Sequence, residues 1–129
     1  MTELLKGMKI LMLATSILSL VYAVLYIVFP MTLFSALDYP YYDPSLTLTN
    51  GMLLFVIGLF NLRAFRMNDW ERVKIYVELA ILLIFLWGIA GVWSLIMIPW
   101  TTVSYTNQAI LTALFFGIAA AVFYFYRKQ

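Results

Sequence analysis

The run Arg63-Ala64-Phe65-Arg66-Met67-Asn68-Asp69-Trp70-Glu71-Arg72-Val73-Lys74 is the only long polar stretch inside this sequence, and it holds four of the eight basic residues. Apolar segments lie on either side, broken only by short turn signals. A helix that crosses a membrane needs roughly 20 consecutive apolar residues. Four segments reach that length, at about 4–29, 44–66, 72–98 and 102–127. The chain is 65% hydrophobic and 11% charged, whereas soluble domains are about half apolar and a quarter charged. Too little charge remains to cover a water-facing surface, so the expected solvent is lipid.

Local signals set the boundaries. Pro30 stops the first span, because proline supplies no N–H and its ring clashes with the preceding turn. The apolar Met31 to Leu37 is too short to cross and is expected as a turn or two of helix at the membrane interface. Asp38-Tyr39-Pro40-Tyr41-Tyr42-Asp43-Pro44 reads as a loop that ends in a helix start, with Asp43 capping and Pro44 at the first helical position. Asn68-Asp69 breaks the second span, with Asp69 as a cap for the third. Pro99 ends the third span, and the fourth begins near Thr101 or Thr102. These spans use nearly all of the chain, so a single transmembrane domain is expected over 1–129. Lys6 and Lys9 precede an apolar run as in a secretory leader. However, Ile10 to Phe29 is longer than a leader core and no small-x-small site follows it, so retention as a helix is expected.

Lys6 and Lys9 precede the first span, Arg63, Arg66, Arg72 and Lys74 bracket the second connection, and Arg127 and Lys128 close the sequence. The other two connections hold no Lys or Arg. All eight cations therefore fall on one side, and the positive-inside bias assigns that side to the cytoplasm. The expected fold is an all-α integral membrane four-helix bundle with both termini cytoplasmic and a short interfacial segment between the first two spans. Tyr39, Tyr41, Tyr42, Trp100 and Tyr105 would then sit at the outer boundary, and Trp70, Tyr124 and Tyr126 at the inner one, as aromatic belts do.

Much chemistry is excluded. The chain has no cysteine and no histidine, which removes disulfides, thiolate metal sites, histidine-ligated haem and the usual general base. No zinc, phosphate-loop or catalytic-triad pattern is present. No catalytic residue and no metal site are expected, and nothing resembles a nucleic-acid-binding surface. Asp38 and Asp43 lack the further oxygen ligands of a cation site; turn formation and helix capping account for them.

Helices in lipid associate through close packing and interhelical hydrogen bonds. Ala109, Ala113, Gly117 and Ala121 form a small-residue stripe on the fourth span. Thr15, Ser19 and Ala23 do so on the first, Gly51 and Gly58 mark the second, and Gly88 and Gly91 mark the third. These seams serve packing within the bundle. The stripe on the fourth span has a second reading, as contact with another copy or a larger membrane complex. Thr49-Asn50 and Thr106-Asn107 open the bodies of the second and fourth spans alike, a faint echo of two related hairpins.

Glu78 is the acidic side chain set clearly within a span, about 8 Å beyond the basic turn by helical rise. Arg63 lies at equal depth on the neighbouring helix, so an Arg63–Glu78 ion pair is expected, with Asn61 extending it. Proton or ion coupling through Glu78 is the alternative, because intramembrane charges are costly and often functional. Nearer the outer side, Ser19, Tyr22, Tyr26, Asn50, Trp93, Ser94 and Asn107 lie at similar depths. Tyr22, Tyr26, Asn50, Trp93 and Asn107 are the candidate lining of an outer-leaflet pocket for a lipid-like ligand. Interface anchoring is the alternative role for the aromatic members.

The run Tyr22 to Pro30, then Asp43-Pro44, Gly51, Gly58, and Arg63 with Arg66 before a tryptophan-containing third helix resembles the DoxX-like group of small membrane proteins. The likeness covers about the first two thirds of the chain. It implies a four-helix membrane fold and either a quinone-coupled oxidation system or an accessory role in a membrane complex; no catalytic residue carries over. Three readings follow. The first is a non-catalytic accessory or scaffold subunit, or a binder of a lipid-like ligand. The second is a quinone-binding oxidoreductase component, and the third a small transporter or channel using Glu78. No cofactor is expected, apart from the quinone or lipid that the ligand-binding readings would add.

Overall fold

The structure is a computed structural model that describes residues 3–129; the first two residues of the domain expected over 1–129 lie outside them. It is all-helical. The elements are α1 (Lys6–Val28), α2 (Pro30–Ala36), α3 (Pro44–Arg66), α4 (Trp70–Met97) and α5 (Thr102–Lys128). No strand occurs among the described residues; one isolated bridge joins Glu3 to Asp69. The four long helices are each long and apolar enough to cross a membrane.

The caps follow the local chemistry. Pro30 ends α1 and opens α2, which has no buried residue. Asp43 accepts a hydrogen bond from the Leu46 N–H at 3.0 Å and so starts α3. Asp69 accepts from the Glu71 N–H at 3.2 Å, and Thr101 accepts from the Ser104 N–H at 3.3 Å. Asp38 turns the chain after α2 with φ of 51°, a left-handed conformation that aspartate tolerates.

The closest packing follows two hairpins, α1 with α3 and α4 with α5. In each, glycine lets the backbones approach. A Cβ at Gly51 would lie 2.7 Å from Ile27 Cγ1, and one at Gly58 would lie 2.6 Å from Leu20 Cγ. On α4, Gly88 faces Phe116 and Gly91 faces Thr112. Ser16, fully buried, donates to the Gly58 carbonyl at 2.7 Å. Such bonds hold helices together where burial of apolar surface gives no preference for helix over lipid.

The two hairpins meet at their basic end. Leu4, Met8, Met12, Ala64, Trp70, Val73, Val77 and Val122 form one buried apolar cluster there. Main-chain bonds draw three chain segments together at the same place. The Leu4 N–H donates to the Asn68 carbonyl at 3.1 Å. Gln129 accepts from the Leu5 N–H at 2.8 Å and donates to the Glu3 carbonyl at 2.7 Å. Lys9 reaches the Asn68 side chain.

The outward faces are apolar. Ile75, Ile96 and Ile110 are 68%, 73% and 63% exposed, while the buried set includes Ser16, Thr47, Ser104 and Thr112. Large apolar side chains turned outward with small polar ones inside is the arrangement a lipid solvent favours.

Candidate functional site

Above the basic-end cluster the hairpins part. A cavity of about 290 Å³ opens between them, with walls from all four long helices. From Thr15 to Tyr26 it extends about 16 Å by helical rise. Its middle is apolar, walled by Leu54 and Ile57 on α3, Leu83, Ile84 and Trp87 on α4, and Leu111, Phe115 and Ile118 on α5. Trp87 and Phe115 pack ring to ring, with centroids 5.6 Å apart.

The two ends differ in chemistry. At the inner end, Asn61 donates to the Thr15 hydroxyl at 3.3 Å, and Thr15 in turn donates to the Leu11 carbonyl at 2.9 Å. The Thr15 hydroxyl is thereby bonded as both donor and acceptor, and Asn61 has one of its N–H groups engaged. Ser19, Tyr22, Tyr26, Asn50 and Gln108 lie toward the outer end. Of these, only Gln108 has a side-chain hydrogen bond among the described residues, a long 3.5 Å contact from the Tyr39 hydroxyl to its Oε1. No Asp, Glu, Lys or Arg lines the cavity.

An aromatic cover lies beyond the outer end, joined to the cavity lining through Tyr26 and Gln108. Phe34 of α2 packs against Tyr26, Tyr39 and Tyr42, with centroids 6.2, 5.3 and 5.1 Å away. Tyr39 also meets Trp100 at 5.5 Å. The loop is tied to the second hairpin by the Thr101 hydroxyl, which donates to Asp38 Oδ2 at 2.6 Å. Asn107 adds a 3.5 Å contact to the Leu37 carbonyl. Burial first, and then the neighbouring Tyr26 and Tyr22, push the Tyr39 hydroxyl up to about 12. It therefore keeps its proton and serves as a donor at any physiological pH.

Of the five expected pocket residues, Tyr22, Tyr26 and Asn50 line the cavity. Trp93 and Asn107 do not. Trp93 is 66% exposed and points outward; Trp87, six residues earlier and so on a different face of the helix, supplies the tryptophan wall. Asn107 turns to the loop carbonyl, and its neighbour Gln108 faces the cavity instead. Gln108, Leu111, Phe115 and Ile118 recur at helical spacing, the signal that could have marked the α5 wall.

The Arg63–Glu78 pair is not formed. Glu78 accepts from the Tyr126 hydroxyl at 2.5 Å, and the ion pair among the described residues is Arg72 with Asp69 at 3.3 Å. Equal depth alone does not make a pair, because the two side chains also have to point toward each other. Glu78 is exposed and outside the cavity lining, and Asn61 joins Thr15 rather than Glu78. Among the described residues no group of acidic side chains is arranged to hold a metal ion. Comparison with protein-family models, with curated proteins and with solved structures finds no match to this chain.

Proposed function

We propose that this chain is a small four-helix membrane bundle, both ends cytoplasmic, that holds a lipid-like molecule in the cavity between its hairpins. It acts by binding, as a non-catalytic carrier or accessory subunit. One observation carries the reading. The cavity has apolar walls, and toward its outer end Ser19, Tyr22, Tyr26 and Asn50 have no side-chain hydrogen-bond partner among the described residues. Polar groups at membrane depth are costly when unsatisfied, so a bound molecule that satisfies them stabilises the protein.

A quinone is the second reading. Trp87 and Phe115, their rings tilted 47° to each other, give the cavity an aromatic wall, and tyrosine and amide donors suit quinone carbonyls. The resemblance to the DoxX-like group points the same way. Transport through Glu78 gains no support, because that carboxylate faces away from the cavity.

The test is mild extraction into nanodiscs followed by mass spectrometry of what comes with the protein. A lipid or quinone is expected at about one per chain. It should be lost from an Ala80→Phe variant, which fills the inner wall of the cavity. An empty wild-type protein, or equal retention by the filled variant, would refute the proposal.

A further inference from the structure

We infer that the cavity selects a single-chain amphiphile with an uncharged, hydrogen-bonding head, held with the head toward the aromatic cover. This rests on the cavity being a lipid-like ligand's site and goes on to name the class of molecule.

Three features lead there. The first is charge. Among the described residues no lining side chain is acidic or basic, and both acids of the loop are engaged, Asp38 accepting from Thr101 and Asp43 from the Leu46 N–H. An ionised head would enter a low-dielectric cleft with nothing to neutralise it, which is strongly unfavourable. A neutral head meets no such penalty.

The second is the polarity gradient. At the inner end the Asn61–Thr15–Leu11 chain of hydrogen bonds engages the Thr15 hydroxyl as donor and acceptor and one Asn61 N–H, so that the Asn61 side chain alone keeps free polar capacity there. At the outer end, the phenols of Tyr22 and Tyr26 and the amide of Asn50 are unpartnered, and the Gln108 amide keeps its donors. Phenols and amides both donate and accept, so hydroxyl, ester or ketone heads all find partners. A ligand placed with its head outward satisfies the polar end and lays its chain along Leu83, Ile84 and Ile118. The opposite placement would leave the outer groups unpaired and offer the head little beyond the Asn61 amide.

The third is size. About 290 Å³ lies at the bottom of the range of drug-sized sites, roughly 300–1,000 Å³. A space of that size matches one chain inside the cavity rather than the two of a phospholipid.

The protein in nanodiscs is titrated with monodecanoylglycerol, decyl sulfate and decyltrimethylammonium, probes with the same chain length and different head charge. Bound probe is counted by native mass spectrometry. The neutral probe is expected to bind about tenfold or more tightly than either ion, a discrimination that corresponds to one unmet polar interaction or more. Tyr22→Phe and Asn50→Leu should each weaken it about fivefold to tenfold. Tyr22→Phe keeps the ring, so its fold is checked by an unchanged melting temperature without ligand. Equal binding of all three probes would overturn the uncharged-head assignment and leave the cavity as a lipid site. Neutral binding that neither variant weakens would overturn the head-outward placement. No binding of any probe, with Ala80→Phe making no difference, would sink the cavity reading as well.

Discussion

At Gly58 a single methyl group decides whether α1 and α3 can stay together. A Cβ there would sit 2.6 Å from Leu20 Cγ and 3.3 Å from the Leu20 nitrogen; the second of these is backbone and cannot swing aside. The same approach brings Ser16 within 2.7 Å of the Gly58 carbonyl. Gly117 is the opposite case, since a Cβ there meets nothing within 4 Å. Gly58→Val is therefore expected to lower stability by about 1–3 kcal/mol through overpacking. Gly117→Val should leave it unchanged or slightly raised, because valine has the higher helix propensity. Thermal unfolding of both variants in one detergent makes the comparison. A loss at Gly117, with a change in oligomeric mass, would reveal the Ala109–Ala113–Gly117–Ala121 stripe as a contact between chains. Sequence spacing could not separate these two glycines: it fixes which residues share a face and says nothing of what that face meets.

At the scale of elements, the helix starts were legible because capping is local chemistry. Asp43-Pro44, Asp69 and Thr101 each start a helix where the sequence says, and the short α2 follows Pro30 as expected. The rotation of each helix was not legible. Both faces of a membrane helix are apolar, one toward lipid and one toward protein, so periodicity has little contrast to work with. That is why Trp93 was expected in the pocket and Trp87 was found there. The α2–α3 loop carries a prediction of its own through Tyr39. Its folded-state value near 12 stands above the ordinary 10 of a free tyrosine, so the folded protein keeps a proton that the unfolded chain gives up. The resulting stabilisation is complete below pH 10 and is lost as the pH rises from about 10 through about 12. Melting temperature should fall over that window, and Tyr39→Phe should make the fall shallower, since phenylalanine has no proton to lose. A profile that does not differ between the two would show that Tyr39 is not held in the cover in solution.

For the whole molecule, the arrangement of the chain ends constrains topology more tightly than hydropathy does. Glu3, Leu4 and Leu5 bond to Asn68 and Gln129, so the start of α1, the α3–α4 turn and the end of α5 share one face. Each hairpin must then leave that face and return to it, which permits an even number of crossings and no odd one. All eight cations lie at or near this face. Carrying any one of them across the bilayer centre would cost about 2.5–3.5 kcal/mol, so the face is expected to remain in the cytoplasm. A chain without cysteine allows a direct check by single-cysteine labelling. Tyr41→Cys, on the loop after α2 and 64% exposed, should react with a membrane-impermeant maleimide on intact cells. Glu71→Cys in the first turn of α4 and Lys128→Cys at the end of α5, which keeps the Gln129 clasp intact, should react only after permeabilisation. If Glu71→Cys and Tyr41→Cys label together from outside, the hairpins do not span. If Lys128→Cys labels from outside while Glu71→Cys does not, the clasp at the basic end is broken in the membrane. In that case the two hairpins are not held side by side, and the cavity between them loses the walls that would hold a ligand.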